Sequence, residues 1–180
     1  YRVEALQPDA MRGARGASRI ELGDERGFGL SDLVVAARVA PRAGVAPERW
    51  SDLDITPNFG HVSRGHPFSL LWETYGLTPR DGSDDYDVTI TVSRAKGGGL
   101  GAFVARIVGG VSGAVGLSHS GADSVSLAFP RRIPARDATV DYVTLDMGDA
   151  PPGTYHVDLS VADRNSDRHV TRRNTITVIE

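Results

Sequence analysis

The sequence has no cysteine among its 180 residues. This absence excludes a disulfide framework, a thiolate nucleophile and any zinc or iron–sulfur site held by cysteine. An excess of positive charge is missing as well, since the formal net charge is −3 and the pI is about 6.0. A chain without a basic field has little attraction for phosphate backbones. We therefore expect no nucleic-acid partner.

Motifs that hold metals, cofactors or substrates are also lacking. None of the 5 histidines forms a pair with the spacing that places two imidazoles on one metal. Phosphate-binding and dinucleotide-binding glycine loops are absent. The serines of Gly110-Val-Ser-Gly113 and Gly116-Leu-Ser-His119 lack the second glycine of a nucleophile elbow. These absences predict no catalytic residue, no metal site and no cofactor, in a protein that is not an enzyme.

One acidic stretch, Asp81-Gly-Ser-Asp-Asp85, has the oxygen ligands that calcium uses. It does not have the full alternating order or the distal glutamate of a high-affinity calcium loop. Asp and Gly are also the residues that tight turns require. The stretch is therefore interpreted as a hairpin turn.

Short strands separated by turns dominate what is present. Apolar residues make up 40% of the chain, and there are 21 glycines and 10 prolines, so a buried core and many turns are expected. Tyr86, Val88, Ile90 and Val92 share one face of an alternating segment. The strand candidates are 30–39, 53–56, 68–75, 86–93, 124–129, 139–145, 155–162 and 170–178. This pattern predicts an all-β fold, an antiparallel immunoglobulin/fibronectin-like β-sandwich with one short inserted helix.

Two segments far apart in the chain resemble each other. Tyr1–Leu6 and Ser18–Leu22 are separated by polar residues, as are Tyr155–Leu159 and Asn174–Val178. Both pairs have the pattern of a strand, a turn and a strand. We interpret residues 1–24 as the closing β-hairpin of a preceding, mostly absent repeat, and residues 25–180 as a β-sandwich domain with an insertion at 97–121.

The segment Asp149-Ala-Pro-Pro-Gly-Thr-Tyr155 predicts a tight turn that leads into a strand. A tyrosine at this point can return its hydroxyl to nearby backbone, as in the tyrosine corner of β-sandwiches. Together with Leu30–Val35, Phe68–Leu77 and Val161–Asp163, this turn resembles the C-terminal β-sandwich region of bacterial GWxTD-domain-containing proteins. The resemblance spans roughly residues 28–180 and does not include the Gly-Trp-x-Thr-Asp signature. It implies an exported, envelope-associated module, and it assigns no catalytic residue.

The insertion breaks the strand pattern. Its apolar residues recur at the spacing of one helix face, which predicts a short helix over residues 100–111. Such a helix must dock to persist in water. Three interpretations are open. The helix covers an end of its own sandwich, inserts into a protein partner or touches a membrane peripherally. The candidate partner-docking residues are Leu100, Phe103, Val104, Ile107, Val108 and Val111.

These observations favour a non-catalytic extracytoplasmic structural or binding module in the periplasm or cell envelope of a bacterium. We expect it to be an accessory subunit that docks on a membrane-associated protein complex, for example a respiratory or photosynthetic one. The alternative is a carbohydrate-binding or hydrolase accessory domain of the cell envelope. That alternative needs an exposed aromatic platform, for which Trp50, Phe59 and Trp72 are the candidates, although Trp72 is expected to face the core.

Overall fold

The computed structural model describes residues 2–7, 12–17, 27–43, 47–58, 60–95, 105–110, 117–120, 124–148 and 150–180. These residues form fourteen β-strands and one short 3-10 helix, Trp50–Asp52. The strands are β1 Arg2–Gln7, β2 Arg12–Ala17, β3 Gly29–Leu30, β4 Val34–Pro41, β5 Leu53–Pro57, β6 His61–Ser63, β7 Phe68–Tyr75, β8 Ser83–Arg94, β9 Arg106–Gly110, β10 Leu117–Ser120, β11 Ser124–Pro134, β12 Ala138–Asp146, β13 Gly153–Asp163 and β14 His169–Ile179. The predicted all-β class is confirmed. Within these described ranges, no helix is long and apolar enough to cross a membrane.

Two sheets face each other across the main core. One has the order β10-β11-β8-β13-β14-β6, and the other has the order β5-β4-β7-β12-β9, with β3 also paired to β7. Every pairing is antiparallel except that of β6 with β14. Among the described strands, consecutive strands lie in different sheets at every step from β5 to β10 and again at β11–β12 and β12–β13. This arrangement is the predicted sandwich of immunoglobulin/fibronectin-like type.

Strict alternation along the central strands builds the core. On β8, the inward side chains of Tyr86, Val88, Ile90 and Val92 are fully buried. Strand β13 contributes four more inward side chains from the same face, and Trp72 on β7 is buried opposite them. Successive side chains of a strand point to opposite faces. The period-2 pattern therefore determines which residues enter the core.

Strand β7 departs from this alternation because it is buried on both faces. Leu70 and Trp72 enter the main core, whereas Leu71 belongs to a second apolar cluster on the outer face of the same sheet. That cluster also contains Val39 and Leu53 of the β4–β5 hairpin, and both side chains are buried in it. A strand covered on both faces has a continuous apolar run. This explains the nearly unbroken burial from Phe68 to Trp72.

The turn before β13 forms the predicted tyrosine corner. The Tyr155 hydroxyl donates a hydrogen bond to the backbone carbonyl of Pro151, with an O···O distance of 2.7 Å. Tyr155 itself is completely buried at the start of the strand. The last hairpin also has its polar turn between β13 and β14, where Asp163 N–H donates to Arg168 O at 3.0 Å. Both predictions made from these turn residues are confirmed.

The helix predicted over residues 100–111 is wrong where the structure describes that segment. Residues 106–110 form strand β9, which pairs antiparallel with β12 at the edge of its sheet. Gly109 and Gly110 oppose a helix because glycine is costly in a helix interior. Gly110 also has a φ of 127°, which no helix contains. Isoleucine and valine at positions 107 and 108 fit a strand better, because β-branched side chains pack well on a pleated sheet.

The N-terminal segment contains two of the described strands. Strands β1 and β2 pair antiparallel with each other and form a separate two-stranded sheet. The second arm is Arg12–Ala17, which precedes the predicted arm 18–22. That predicted arm lies outside the described residues. The interpretation of 1–24 as part of a preceding repeat stays a prediction.

Candidate functional site

Strand β9 carries the described part of the predicted docking segment. Ile107 packs against the main core, whereas Val108 points outward with 48% of its surface exposed. Adjacent residues of a strand face opposite sides, so the two do not share the single stripe that a helix would give them. Of the other candidates, Leu100, Phe103, Val104 and Val111 lie outside the described residues. The structure thus places one apolar docking candidate, Val108, on the surface and packs the other, Ile107, against the core.

A β-bulge determines how Val108 is presented. Ile107 lies opposite Leu145 of β12 and Gly109 lies opposite Thr144, so Val108 is the extra residue between two register pairs. Bulges are common at sheet edges, where they redirect a side chain and interrupt further pairing. Strand β9 is the last strand in its sheet order. The bulge therefore directs the Val108 side chain outward at this edge of the sheet.

Backbone packing beside the bulge requires glycine. At Gly110, where φ is 127°, a Cβ atom would lie 2.5 Å from the Tyr142 carbonyl oxygen and 2.7 Å from the Val143 Cα. Both distances are shorter than any ordinary contact, and both contacts are to backbone that cannot move aside. Gly109 is different, because a Cβ atom at this position would lie 3.5 Å from its nearest neighbour, the Thr144 side chain. Close approach of β9 to β12 thus depends on Gly110.

A charged pair lies next to Val108. Arg106 donates two hydrogen bonds to Asp146 Oδ2, from Nη2 at 2.7 Å and from Nε at 2.9 Å. The Gly148 N–H donates to the other oxygen at 2.8 Å. This backbone hydrogen bond and the guanidinium together lower the pKa of Asp146. The ionised pair gives the exposed valine a polar border.

The aromatic platform required by a sugar-binding sandwich is not assembled from its candidates. Trp72 is completely buried in the main core, as the sequence predicts. Trp50 is partly buried and packs against the outer-face cluster of β4, β5, β7 and β12. Phe59 lies outside the described residues. No two of the three are shown side by side on the surface in the described part of the chain.

The acidic stretch forms a tight hairpin turn. Asp81 and Gly82 both have positive φ, 51° and 73°, and Arg80 and Ser83 exchange backbone hydrogen bonds on either side. Positive φ at both central residues is the signature of a type I′ turn. Asp84 then points inward and Asp85 outward. Among the residues with described positions, no three histidine or carboxylate side chains are grouped closely enough to hold a metal ion.

A buried charged group that the sequence does not indicate joins the two sheets. The Asp141 carboxylate on β12 is completely buried and accepts hydrogen bonds from the Tyr86 hydroxyl at 2.6 Å and from Arg131 Nη2 at 3.1 Å. Burial raises the pKa of Asp141, while the Arg131 guanidinium opposes that effect. Burial also raises the pKa of Tyr86, and the neighbouring Asp141 adds to it. Tyr86 therefore remains a hydrogen-bond donor to the carboxylate.

A second polar cluster fills the end of the sandwich near the β13–β14 turn. Asp163 accepts hydrogen bonds from Thr78 N–H at 3.0 Å, Ser166 Oγ at 2.7 Å and Asn165 N–H at 2.9 Å. Burial opposes its ionisation, but these donors outweigh burial and lower the pKa of Asp163. Nearby Asp84 accepts one hydrogen bond, from Arg136 N–H at 3.0 Å. Burial raises the pKa of Asp84, with a further contribution from the Asp163 charge.

Comparison with known proteins does not assign the chain to a family. No protein-family model matches the sequence, and no curated protein matches it. Solved structures that are similar to the chain have low sequence identity, as three examples illustrate. AvmM, which catalyses macrocyclization in alchivemycin A biosynthesis, is 7% identical over 86% of this chain and 90% of its own, with a TM-score of 0.45. A family 123 glycoside hydrolase from Clostridium perfringens is 14% identical over 68% of this chain and 23% of its own, with a TM-score of 0.39.

The third structure is BcpA, the major pilin subunit of Bacillus cereus. It is 11% identical over 99% of this chain and 47% of its own, with a TM-score of 0.31. This chain therefore spans about a quarter of the glycoside hydrolase and about half of the pilin. All three TM-scores are below 0.5, and these likenesses carry no argument about function.

Proposed function

We propose that this chain is a non-catalytic binding module that docks on a protein partner through the bulged edge strand β9. The observation that carries the proposal is the outward position of Val108. With 48% of its surface exposed it is one of two large apolar side chains, together with Ile179 at 42%, that the described part of the chain leaves exposed. Binding is stabilised when a partner removes exposed apolar side chains from water.

The surroundings of Val108 support contact by side chains. An apolar centre with a polar border is the usual anatomy of a protein interface. Val108 provides the centre, and the Arg106–Asp146 pair provides part of the border. Because the bulge interrupts the regular ladder, strand addition at this edge is disfavoured. We infer that the partner contributes an apolar pocket for the valine.

The setting of the partner follows from the sequence resemblance. Resemblance to the sandwich region of bacterial GWxTD-domain-containing proteins supports an extracytoplasmic location in the periplasm or cell envelope. We propose that the module is an accessory subunit of a membrane-associated complex, for example a respiratory or photosynthetic one. In such a complex the subunit can also make peripheral contact with the membrane.

The competing function, a carbohydrate-binding or hydrolase accessory domain, has less support from the described residues. A stacking platform for sugars needs exposed aromatic rings. Trp72 is buried in the main core, and Trp50 packs against the outer-face cluster. A change of tryptophan fluorescence on addition of neutral glycans is the measurement that would put this function first.

The test compares two point variants with the unmodified protein. Val108→Asp places a charge at the proposed contact, and Ile179→Asp places the same charge at the other exposed apolar residue. Replacing the whole insertion is less informative, because Ala105 belongs to the core and Ile107 packs against it. Each protein is purified by affinity from the native membrane fraction in mild detergent, and the bound complex is quantified.

We expect the unmodified protein and Ile179→Asp to retain the same discrete complex. Val108→Asp should retain at most about a tenth of it, because burying an unpaired carboxylate at an interface costs several kcal/mol. All three proteins should unfold at the same urea concentration, since Val108 and Ile179 are both on the surface. Equal retention by the two variants, or no complex with the unmodified protein, would contradict docking through β9.

A further inference from the structure

A polar cavity opens at the end of the sandwich, on the outer side of the sheet that contains β8 and β11. Its volume is about 300 Å³, and it is lined by Arg80, Asp81, Ser83, Asp85, Arg132 and Asn165. The Asp81–Gly82 turn, the first residues of β8, the last part of β11 and the β13–β14 turn meet there. This volume is at the lower end of the range for small-molecule sites. It can accommodate a ligand of about the size of one sugar ring.

Two guanidinium groups in this cavity are available to bind a ligand. Within the described ranges, no hydrogen bond or ion pair engages the side chain of Arg80 or Arg132. The other arginine at this end, Arg164, is already held by Asp87 with two hydrogen bonds of 2.8 Å and lies 3.5 Å from Asp85. Arg164 is therefore occupied mainly by Asp87 and makes only the longer contact with Asp85, whereas Arg80 and Arg132 are left to bind an oxyanion.

The cavity also has acceptors for hydroxyl groups. Asn165 donates from Nδ2 to the Thr78 carbonyl at 2.9 Å, which leaves its Oδ1 as an acceptor. Ser83 and Asp81 add a hydroxyl and a carboxylate to the lining. The type I′ turn, with positive φ at both Asp81 and Gly82, holds Asp81 at the rim. A carboxylate among the acceptors disfavours a dianion such as phosphate, because like charges repel.

We propose that this cavity binds a hydroxylated monocarboxylate, such as a sugar acid. The carboxylate lies between the Arg80 and Arg132 guanidinium groups, whose donors match its two oxygens. Hydroxyl groups of the ligand donate to Asp81 and to Asn165 Oδ1. This site is independent of β9 and of the partner proposed for Val108. It differs from the aromatic platform of a neutral-sugar site because recognition here is by charge and hydrogen bonds.

The test uses sodium D-glucuronate as the probe in NMR titrations of the ¹⁵N-labelled protein at constant ionic strength. Arg80→Gln/Arg132→Gln removes both guanidinium groups. Arg38→Gln/Arg172→Gln is the matched control, because it changes the net charge equally at two exposed arginines outside the cavity. D-Glucose and inorganic phosphate are titrated in parallel. Urea unfolding of each variant verifies that the fold is retained.

We expect saturable glucuronate shifts confined to residues that line the cavity, and no saturable shift with glucose. The Arg80→Gln/Arg132→Gln protein should bind glucuronate at least about 10-fold more weakly, while the control stays within about twofold of the unmodified protein. Asp81→Asn should raise the affinity for phosphate relative to glucuronate, since it removes the repelling carboxylate.

Three results would overturn the proposal. The first is the absence of a saturable glucuronate shift in the folded protein. The second is an equal loss of affinity in the Arg38→Gln/Arg172→Gln control, which would show a general effect of net charge. The third is phosphate binding that is as tight as glucuronate binding in the unmodified protein, which would show an unselective anion site.

Discussion

Individual polar residues inside the sandwich hold its two sheets and its turns together. Tyr155 could be identified from the sequence, because its partner, the Pro151 carbonyl, lies only four residues away in the same turn. The partners of Asp141 could not be identified in this way. Tyr86 is 55 residues away in the chain, on a strand of the opposite sheet, and only the folded arrangement brings the two together.

Replacing Tyr155 by phenylalanine tests the tyrosine corner. The ring keeps its buried position, but the Pro151 carbonyl loses the donor that lies 2.7 Å away. We expect the free energy of unfolding to fall by about 1–2 kcal/mol, the usual cost of a lost buried hydrogen bond. Tyr142→Phe is the control and should cost less than about 0.5 kcal/mol, since no hydrogen bond of its hydroxyl is found among the described residues. Urea unfolding measures both values.

Replacing Asp141 by alanine tests the buried charged group. The change removes the carboxylate that faces the Arg131 guanidinium, whose side chain is 14% exposed. We expect a loss of about 3–5 kcal/mol in the free energy of unfolding. Asp158→Ala removes the ion-pair partner of Arg173, whose side chain is 61% exposed, and should cost less than about 1 kcal/mol.

The same group permits a second check. Tyr86→Phe/Arg131→Met/Asp141→Leu replaces all three polar side chains by apolar ones of similar size. We expect this triple variant to be more stable than Asp141→Ala, because no buried charge remains. A triple variant less stable than Asp141→Ala would indicate that the hydrogen bonds themselves hold the sheets together.

At the scale of elements, strand β9 shows why periodicity alone misled. The apolar positions of residues 100–111 fit a helix, and the same β-branched residues also fit a strand. Which structure forms depends on whether a neighbouring strand has a free edge. Strand β12 offers that edge, and β9 pairs with it from Arg106 to Gly110. Short apolar runs are ambiguous between the two structures for this reason.

Gly110→Ala tests the close approach of β9 to β12. The new methyl group would meet the Tyr142 carbonyl oxygen at 2.5 Å, and φ of 127° is strained for alanine. We expect a loss of about 2–3 kcal/mol in unfolding free energy. Gly109→Ala meets only ordinary contacts at 3.5 Å and should be nearly neutral. Faster amide hydrogen exchange at Val143 and Thr144 in Gly110→Ala alone would locate the effect in this pair of strands.

The polar cluster at the β13–β14 turn predicts opposite pH effects for two carboxylates. The pKa of Asp163 is lowered, so the stability it contributes is complete above about pH 4, the ordinary range of the unfolded carboxyl, and is lost as pH falls through the lower folded value. The pKa of Asp84 is raised, so its contribution is present below about pH 4 and is lost as pH rises through the folded value.

Asp163→Asn and Asp84→Asn measure these two contributions. We expect the unmodified protein to be more stable than Asp163→Asn at pH 7, with the difference narrowing below about pH 4. The stability of Asp84→Asn relative to the unmodified protein should instead increase between about pH 3 and pH 7. Urea unfolding at a series of pH values provides both curves. Curves that change in the same direction would contradict the assignment.

At the scale of the whole molecule, the described strands form a sandwich and a separate hairpin. Strands β1 and β2 hydrogen-bond to each other only, among the strands that the structure describes. All strands of the two large sheets lie between residues 29 and 179. The division between residues 1–24 and the sandwich domain of residues 25–180 stays a prediction.

A chain of residues 27–180 tests that division. We expect it to fold with a free energy of unfolding within about 0.5 kcal/mol of the full chain, because no strand of either large sheet is removed. A chain of residues 1–168 is the control and should not fold cooperatively, since it loses β14, which pairs with β13 along most of its length. Loss of cooperative unfolding in residues 27–180 would show that the hairpin belongs to the sandwich.

The sequence by itself determined the strands and turns whose causes are local. Alternation placed β8, β13 and β14 correctly within a few residues, and the β7 boundaries, Phe68–Tyr75, were predicted as they are observed. The Pro-Pro-Gly turn predicted the tyrosine corner, and Asp-Gly predicted the hairpin before β8. In each case the residues that determine the strand or turn are neighbours in the chain, so the local sequence pattern is sufficient to predict it.

Only the tertiary structure decided what depends on distant partners. The pairing of β12 with β9 made residues 106–110 a strand and turned Val108 outward, while Ile107 packs against the core. The pairing of β8 with β11 set Arg132 opposite Asp85 and so formed one side of the polar cavity. These arrangements rest on sheet register between residues tens of positions apart. Register follows from burying all the apolar faces at once, and no local pattern contains that information.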